Sequence, residues 1–169
     1  LNRMAENLMF LARAEHGQRP LQLQVLDLGE VGDGLCDYFE ALAEDRQLQL
    51  DNQLSGPLVA DQQLLQRALG NLLANAVRHA QPGSTVRLLR RDDAEYCWTG
   101  VHNVGPAIDP RHIDKLFDRF YRVDPSRAQP GDSGGLGLAI VHSIMQLHGG
   151  QVRVVSDASG TLFELGFSL

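Results

Sequence analysis

The pattern of apolar and polar positions predicts an alternation of helices and strands along the chain. Helices are expected near residues 1–16, 30–46, 61–80, 110–116 and 135–148. Strands are expected near residues 21–28, 48–54, 85–91, 95–104, 151–156 and 161–167. Because the two kinds of element alternate without an internal repeat, we predict an α/β sandwich, a mixed sheet with helices packed on one face.

The first helix carries an apolar seam that needs a partner. Four residues follow alternating steps of three and four: Leu1, Met4, Leu8 and Leu11. This is the spacing of a coiled-coil seam, which a second helix buries. The pattern is already present at the first residue with no capping residue before it, and Gly17 and Pro20 end it. We therefore interpret residues 1–16 as the end of a longer helix.

The helix over residues 61–80 carries polar residues beside its core stripe. Asp61 is placed to cap its first turn. The core stripe consists of Leu65, Ala68, Leu69, Leu72 and Ala76. An adjacent stripe, at steps of three and four, holds Asn71, Asn75, Arg78 and His79. Asparagine is a mediocre helix former because its amide competes for backbone hydrogen bonds. The pair therefore indicates either a solvated face or a ligand site.

The polar stripe of this helix and a glycine-rich segment are both suited to a phosphate ligand. A carboxamide oxygen of the asparagine pair is a hard, neutral ligand suited to Mg²⁺, and Arg78 would face the same phosphates. The segment from Gly134 to Gly137 opens the last predicted helix, where glycines and free N–H groups favour an anion. By itself this segment is equally an ordinary helix-start loop, and it matches neither a Rossmann nor a P-loop pattern.

Two more segments complete the candidate site. Asn103 ends a predicted strand and is followed by the turn from Val104 to Ile108, where it could read the edge of a base or simply begin an ordinary turn. Residues 118–133 turn polar, and we expect a mobile lid there. Phe117 and Phe120 could anchor its base or belong to the core, and Arg122 could reach a phosphate as a bidentate donor.

Composition narrows the class of protein. Of 169 residues, 43% are apolar, which suits the core of one domain, and no stretch approaches the ~20 apolar residues of a membrane span. Leu1 follows no basic leader, so we expect a cytosolic chain. The net charge of −6 disfavours nucleic acid as a partner. We interpret Cys36 and Cys97 as buried free thiols rather than a disulfide or a metal site.

Taken in this order, the motifs resemble those of the catalytic ATP-binding domain of bacterial sensor histidine kinases. That family belongs to the superfamily of gyrase, mismatch-repair and heat-shock chaperone ATPases. Segments 66–76, 116–124, 134–141 and 147–150 resemble its asparagine box, its phenylalanine box, its second glycine box and the turn that follows. Segments 103–108 and 116–127 are similar to the heavy-metal sensor subgroup.

The resemblance implies a Bergerat-type ATP-binding fold over residues 17–169 and a stub of the dimerisation and phosphoacceptor helix over residues 1–16. It implies ATP and Mg²⁺ as cofactors, with Asn75 on the metal and Asn71 at the phosphate end. Arg78 and Arg122 would neutralise phosphate charge, and the backbone of Gly135, Leu136 and Gly137 would hold the phosphates. The other expected nucleotide-binding residues are His79, Asn103, Gly105, Ile108 and Leu138.

Two departures from the family's pattern bear on activity. Asn103 stands where most members have an aspartate that accepts a hydrogen bond from adenine, so adenine affinity is expected to be lower by ~1 kcal/mol. Ala107 replaces a further glycine of the same box. None of the six histidines has the sequence context of a phosphoacceptor. The chain is therefore expected to hold the ATP site and to lack its substrate histidine.

The implied function is transfer of the ATP γ-phosphoryl group to a histidine on the dimerisation helices, and from there to an aspartate of a response regulator. The intact protein would be a homodimeric inner-membrane sensor with this domain in the cytoplasm. One alternative is a docking module that has lost nucleotide binding, against which the retained Asn71, Asn75 and Arg122 count. Another is a serine kinase or ATPase of the same superfamily, which the seam in residues 1–16 disfavours.

Overall fold

A computed structural model of the chain describes residues 2–17, 20–123 and 135–169. Across these ranges the helices are α1 Asn2–Glu15, α2 Leu28–Asp45, α3 Gln62–His79, α4 Pro110–Ile113 and α5 Gly137–Leu147. The strands are β1 Leu23–Asp27, β2 Gln49–Asn52, β3 Pro57–Asp61, β4 Thr85–Asp92, β5 Tyr96–Asn103, β6 Gln151–Asp157 and β7 Gly160–Ser168. In the described part of the chain, no helix is long and apolar enough to cross a membrane.

The main sheet has five strands in the order β2-β4-β5-β7-β6. Strands β2 and β4 run parallel, and the other neighbours are antiparallel. Helix α3 packs against α2, α5 and β5, so the helices form a layer over one face of the sheet. This confirms the predicted α/β sandwich with a mixed sheet.

The strand β3 was not predicted from the sequence. It pairs antiparallel with β1 in a separate two-stranded sheet, with Val25 opposite Val59. Leu58 and Ala60 are buried, whereas Val59 between them is exposed. Because the exposed position is also apolar, the strand lacks the apolar-polar alternation that identifies a half-buried strand.

Helix α3 begins and packs as its sequence predicts. The Asp61 carboxylate accepts a hydrogen bond from the Leu64 N–H at 3.1 Å, which caps the first turn. All five predicted core residues of the stripe are buried, and so are Leu64, Leu73 and Val77. The Asp61 N–H donates to His148 Nε2 at 3.1 Å. The start of α3 is therefore tied to the end of α5.

Helix α1 buries a different face from the one its heptad seam predicts. Met4 and Leu8 are exposed, and Leu11 is buried together with Asn7 and Phe10. The helix packs against α5 of its own chain. Leu11 therefore packs within the domain. Of the seam residues whose side chains are described, Met4 and Leu8 remain exposed for a partner helix.

Contacts from two arginines hold α1 in place. The Arg67 guanidinium lies 4.3 Å from the centre of the Phe10 ring and donates to Asn7 Oδ1 at 3.0 Å. At the other end, Arg119 and Glu15 form an ion pair. Helix α1 is thus connected both to α3 and to the segment that follows α4.

The helices around the predicted lid are shorter than expected. Helix α4 ends at Ile113 and continues as turns through Phe117. Helix α5 begins at Gly137 rather than Gly135, because Gly135 has a φ of +82°, which a right-handed helix cannot contain. Of the predicted lid over 118–133, residues 124–133 lie outside the described residues.

The two cysteines differ in their surroundings. Cys97 is buried, and burial raises the pKa of its thiol to about 11. Cys36 is only half-buried, which corrects the expectation of a buried thiol. Burial raises its thiol pKa, and the carboxylates of Asp33, Asp37 and Asp51 act in the same direction. Both shifts disfavour the thiolate, which is the nucleophilic form.

Thr99 offers a test of the sheet's packing. It is fully buried, and its hydroxyl has no hydrogen-bond partner in the described part of the chain. Because an unsatisfied buried hydroxyl costs free energy, Thr99→Val is expected to raise the free energy of unfolding by about 1 kcal/mol in urea titrations. The matched control is Thr161→Val, which is expected to lose stability because that hydroxyl is bonded to Ser156. A loss of stability in Thr99→Val would contradict this description of the core.

Candidate functional site

A row of polar side chains crosses three neighbouring strands at one end of the main sheet. Asn103 ends β5, and its register partner on β7 is Thr161, whose partner on β6 is Ser156. Residues opposite one another in antiparallel strands project on the same side of the sheet. Asn103 and Thr161 are each 5% exposed. The row therefore places an amide and two hydroxyls side by side at the point where β5 ends.

The turn after Asn103 is attached to this row. The Ile108 N–H donates to Ser156 Oγ at 2.8 Å, and Ser156 Oγ lies 2.7 Å from Thr161 Oγ1. A Cβ on Gly105 would lie 2.9 Å from the carbonyl oxygen of His79 and 3.4 Å from Asn103 Nδ2. Glycine is therefore required for the turn to approach the end of α3, and the structure brings Asn103, Gly105 and Ile108 together.

The asparagine pair of α3 contacts the glycine-rich start of α5. Asn71 Nδ2 donates to the carbonyl oxygen of Gly137 at 3.1 Å, which joins two segments that are 66 residues apart in the chain. Asn75, one turn further along α3, is half-buried. Its carboxamide makes no hydrogen bond to the described residues. Asn71 thus joins α3 to α5, and Asn75 keeps a free amide one helical turn away from that contact.

The start of α5 has the features of an anion site. Leu136 occupies the N-cap position and is fully buried, so its apolar side chain cannot satisfy the N–H groups of the first turn. Those N–H groups and the helix dipole favour a negative charge. Gly137 and Leu138 are half-buried in this first turn. The backbone can therefore serve an anion while the Leu136 side chain packs in the core.

Gly135 supports the same turn. It accepts a hydrogen bond from the Phe120 N–H at 2.9 Å. Its φ is +82°, and a Cβ there would lie 2.7 Å from the Phe120 Cα. Gly135 is therefore held directly against the backbone of Phe120.

The aromatic residues over 117–121, at the base of the predicted lid, differ in burial. Phe117 is half-buried and packs edge-to-face on Phe163 at 6.2 Å. Phe120 is 53% exposed and has a φ of +65°, so the alternative that both phenylalanines belong to the core is wrong. His112 and Tyr121 are hydrogen-bonded to each other and brace the same segment. Arg122 is half-buried near the end of this segment, and the described residues stop at Val123.

Arg78 and His79, the last two residues of the α3 stripe, differ in exposure. Arg78 is half-buried and His79 is exposed, both in the last turn of the helix. The His79 carbonyl faces Gly105, so His79 adjoins the base turn through its backbone. The structure therefore brings the backbone of His79 to the turn after Asn103, and the roles of Arg78 and His79 toward a nucleotide remain predictions.

Thr161 and Ser156 were missed by sequence reasoning. Threonine is a favourable residue for a strand and serine a neutral one, so neither stands out in a strand pattern. Only the register of β5, β7 and β6 places them beside Asn103. A signal was nevertheless present, because each continues a run of alternate apolar positions along its strand, Thr161 with Phe163 and Leu165, and Ser156 with Val152 and Val154.

The free carboxamide of Asn75 fits the requirements of a magnesium ion. Mg²⁺ prefers hard oxygen ligands, keeps several waters and shares the remaining positions with phosphate oxygens. A single neutral amide oxygen, one helical turn from the residue that bonds the start of α5, is suited to such a position. The arrangement therefore offers an amide oxygen suited to a metal, first-turn N–H groups suited to an anion, and polar side chains at the end of β5.

Comparison of the sequence with known families gives one match over most of the chain. Residues 60–169 match the profile described as histidine kinase-, DNA gyrase B-, and HSP90-like ATPase. The sensor protein CzcS of Cupriavidus metallidurans is 45% identical over 100% of this chain and 36% of its own length. The sensor histidine kinase CusS of Escherichia coli K12 is 42% identical over 95% of this chain and 34% of its own length. The chain thus spans about a third of these relatives.

Comparison with solved structures shows the same fold. The structure of full-length ShkA in complex with AMPPNP superimposes with a TM-score of 0.83 at 23% identity, covering 98% of this chain and 36% of that one. The histidine kinase AdeS of Acinetobacter baumannii gives a TM-score of 0.80 at 24% identity, covering 97% and 76%.

Proposed function

Since the chain belongs to the family of histidine kinase-, DNA gyrase B- and HSP90-like ATPases, we propose that it is the ATP-binding catalytic domain of a two-component sensor histidine kinase. The observation that carries the proposal is the hydrogen bond from Asn71 to the Gly137 carbonyl. It joins Asn71 to the first turn of α5, which supports a metal position at Asn75, one helical turn away, and an anion position at the start of α5. The relatives CzcS and CusS, named as sensors, support the heavy-metal sensor subgroup.

In this proposal each part of the site has a defined task. The first-turn N–H groups of α5 bind phosphate oxygens, and Arg78 and Arg122 neutralise their charge. Asn75 would hold Mg²⁺, which supplies charge neutralisation at the phosphates when bound. Asn103 reads the edge of the base. Phosphoryl transfer depends mainly on positioning and charge stabilisation, which these residues are arranged to provide.

The proposal extends to the intact protein. Residues 1–16 would be the end of the dimerisation and phosphoacceptor helix, and the histidine that receives the γ-phosphoryl group would lie on that helix outside this chain. The intact kinase would be a homodimer in the inner membrane with this domain in the cytoplasm. Its phosphoryl group would pass to an aspartate of a response regulator.

A phosphotransfer assay tests the proposal. The chain is incubated with Mg²⁺, [γ-³²P]ATP and the separately purified dimerisation domain of the intact kinase. We expect the label to appear on the dimerisation domain, stable in base and labile in acid, and only when both proteins are present. Nucleotide binding without any transfer would contradict kinase activity and favour a docking module or an ATPase.

A further inference from the structure

The side chain of Asn103 is buried without a protein partner. It is 5% exposed, and its carboxamide makes no hydrogen bond to any residue that the structure describes. In the same part of the chain, the sealed side-chain atoms without a partner are Arg46 Nε and Thr99 Oγ1. The amide of Asn103 is therefore not fully sealed, and it keeps a small exposed area at the end of β5.

An unpartnered amide can present either of its two polar atoms. The Asn103 oxygen accepts hydrogen bonds and its NH₂ group donates them, and rotation by half a turn exchanges the two. A protein partner would fix one orientation, as the Gly137 carbonyl does for Asn71. Because Asn103 lacks such a partner in the described ranges, a ligand can select the orientation. An aspartate in this position could only accept.

The residue opposite Asn103 has the same versatility. Thr161 Oγ1 lies 2.7 Å from Ser156 Oγ, and either hydroxyl can be the donor. When Ser156 donates, the Thr161 proton is free to donate toward a ligand. When Thr161 donates, its lone pairs remain free to accept. Ser156 accepts the Ile108 N–H in both cases, so the turn keeps its position while the hydroxyls reverse.

We infer that the base subsite accepts both 6-aminopurine and 6-oxopurine nucleotides. Adenine offers an amino donor at position 6 and an acceptor at position 1, and a 6-oxopurine offers the reverse pair. Asn103 and Thr161 can match either pattern by rotating one amide and reversing one hydrogen bond. This inference rests on the proposed nucleotide site and names the substrate class that the site admits.

Inosine and adenosine triphosphates provide the test, because their bases differ only at positions 6 and 1. Dissociation constants for both are measured in Mg²⁺ by calorimetry, for the wild-type chain and for Asn103→Asp. We expect the wild-type constants to lie within about tenfold of each other. In the variant, the preference for ATP is expected to rise by about 30-fold or more, because a carboxylate repels the 6-oxo group.

Each outcome has a definite meaning. The ratio of the two constants cancels general effects of added charge, since both ligands carry the same triphosphate. A wild-type preference for ATP above about 100-fold would overturn the inference while leaving the proposed nucleotide site intact. An unchanged ratio in a folded Asn103→Asp would overturn it as well. If the variant fails to fold, the wild-type ratio alone decides. Absence of binding by both nucleotides would overturn the proposed function itself, and this inference with it.

Discussion

Replacing Asn75 with alanine is expected to weaken magnesium-dependent ATP binding by about 10- to 100-fold and to reduce phosphotransfer by at least as much. The half-buried amide makes no hydrogen bond to the described residues, and it lies one helical turn from Asn71, which bonds the first residue of α5. Alanine is a better helix former than asparagine, so α3 is expected to be slightly stabilised. The loss of binding therefore reports the ligand and not the fold. Equilibrium dialysis with labelled ATP, with and without Mg²⁺, measures it.

The control for this substitution is Gln66→Ala. Gln66 is an exposed carboxamide on the same helix, two and a half turns from Asn75 at about 3.6 residues per turn and so on the opposite side. It is expected to bind ATP as the wild type does. Equal affinities of Asn75→Ala and wild type in Mg²⁺ would refute the assignment of Asn75 to the metal.

Gly160→Ala is expected to destabilise the fold by about 3 kcal/mol or more. Gly160 begins β7 with a φ of +130°, a conformation that costs an L-residue about 1–3 kcal/mol. A Cβ there would also lie 2.3 Å from the carbonyl oxygen of Asn103. That overlap involves backbone on both sides, so it cannot be relieved by rotating a side chain. Urea unfolding measures the loss, and nucleotide binding is expected to weaken because the end of β5 must shift.

Gly149→Ala separates the two causes. Gly149 also has a positive φ, +65°, but no atom lies within 4 Å of the position that a Cβ would take. It is expected to lose about 1–2 kcal/mol from conformation alone. If both variants lost the same amount, the close contact between the β6–β7 turn and Asn103 would not exist in solution.

The parts of the fold that followed from the sequence are those with a strong local signal. Helix α3 has a capping Asp61, a regular apolar stripe and a length that only a helix explains. Strand β3 carries no such signal, because Val59 is apolar although exposed. The buried face of α1 could not be predicted from its heptad spacing. Phe10 and Asn7 are buried on the side where both contact Arg67 of α3, which is distant in the sequence.

The candidate site shows the same division. Asn71, Asn75 and the glycines near α5 could be proposed from composition, because amides and glycines are unfavourable in helices without a reason. Thr161 and Ser156 could not, since their place depends on strand register, which is a long-range property. Similarly, Phe120 has a positive φ and is exposed. Neither property can be inferred from the neighbouring residues in the sequence.

The most direct test of the central claim is a calorimetric titration of the wild-type chain with AMPPNP, in Mg²⁺ and again in EDTA. The free amide of Asn75, one helical turn from the contact between Asn71 and Gly137, predicts saturable binding of one nucleotide per chain that weakens by about tenfold or more when the metal is removed. Absence of binding up to millimolar AMPPNP in Mg²⁺ would contradict a nucleotide site in this domain, and equal affinity in EDTA would contradict the role of the metal.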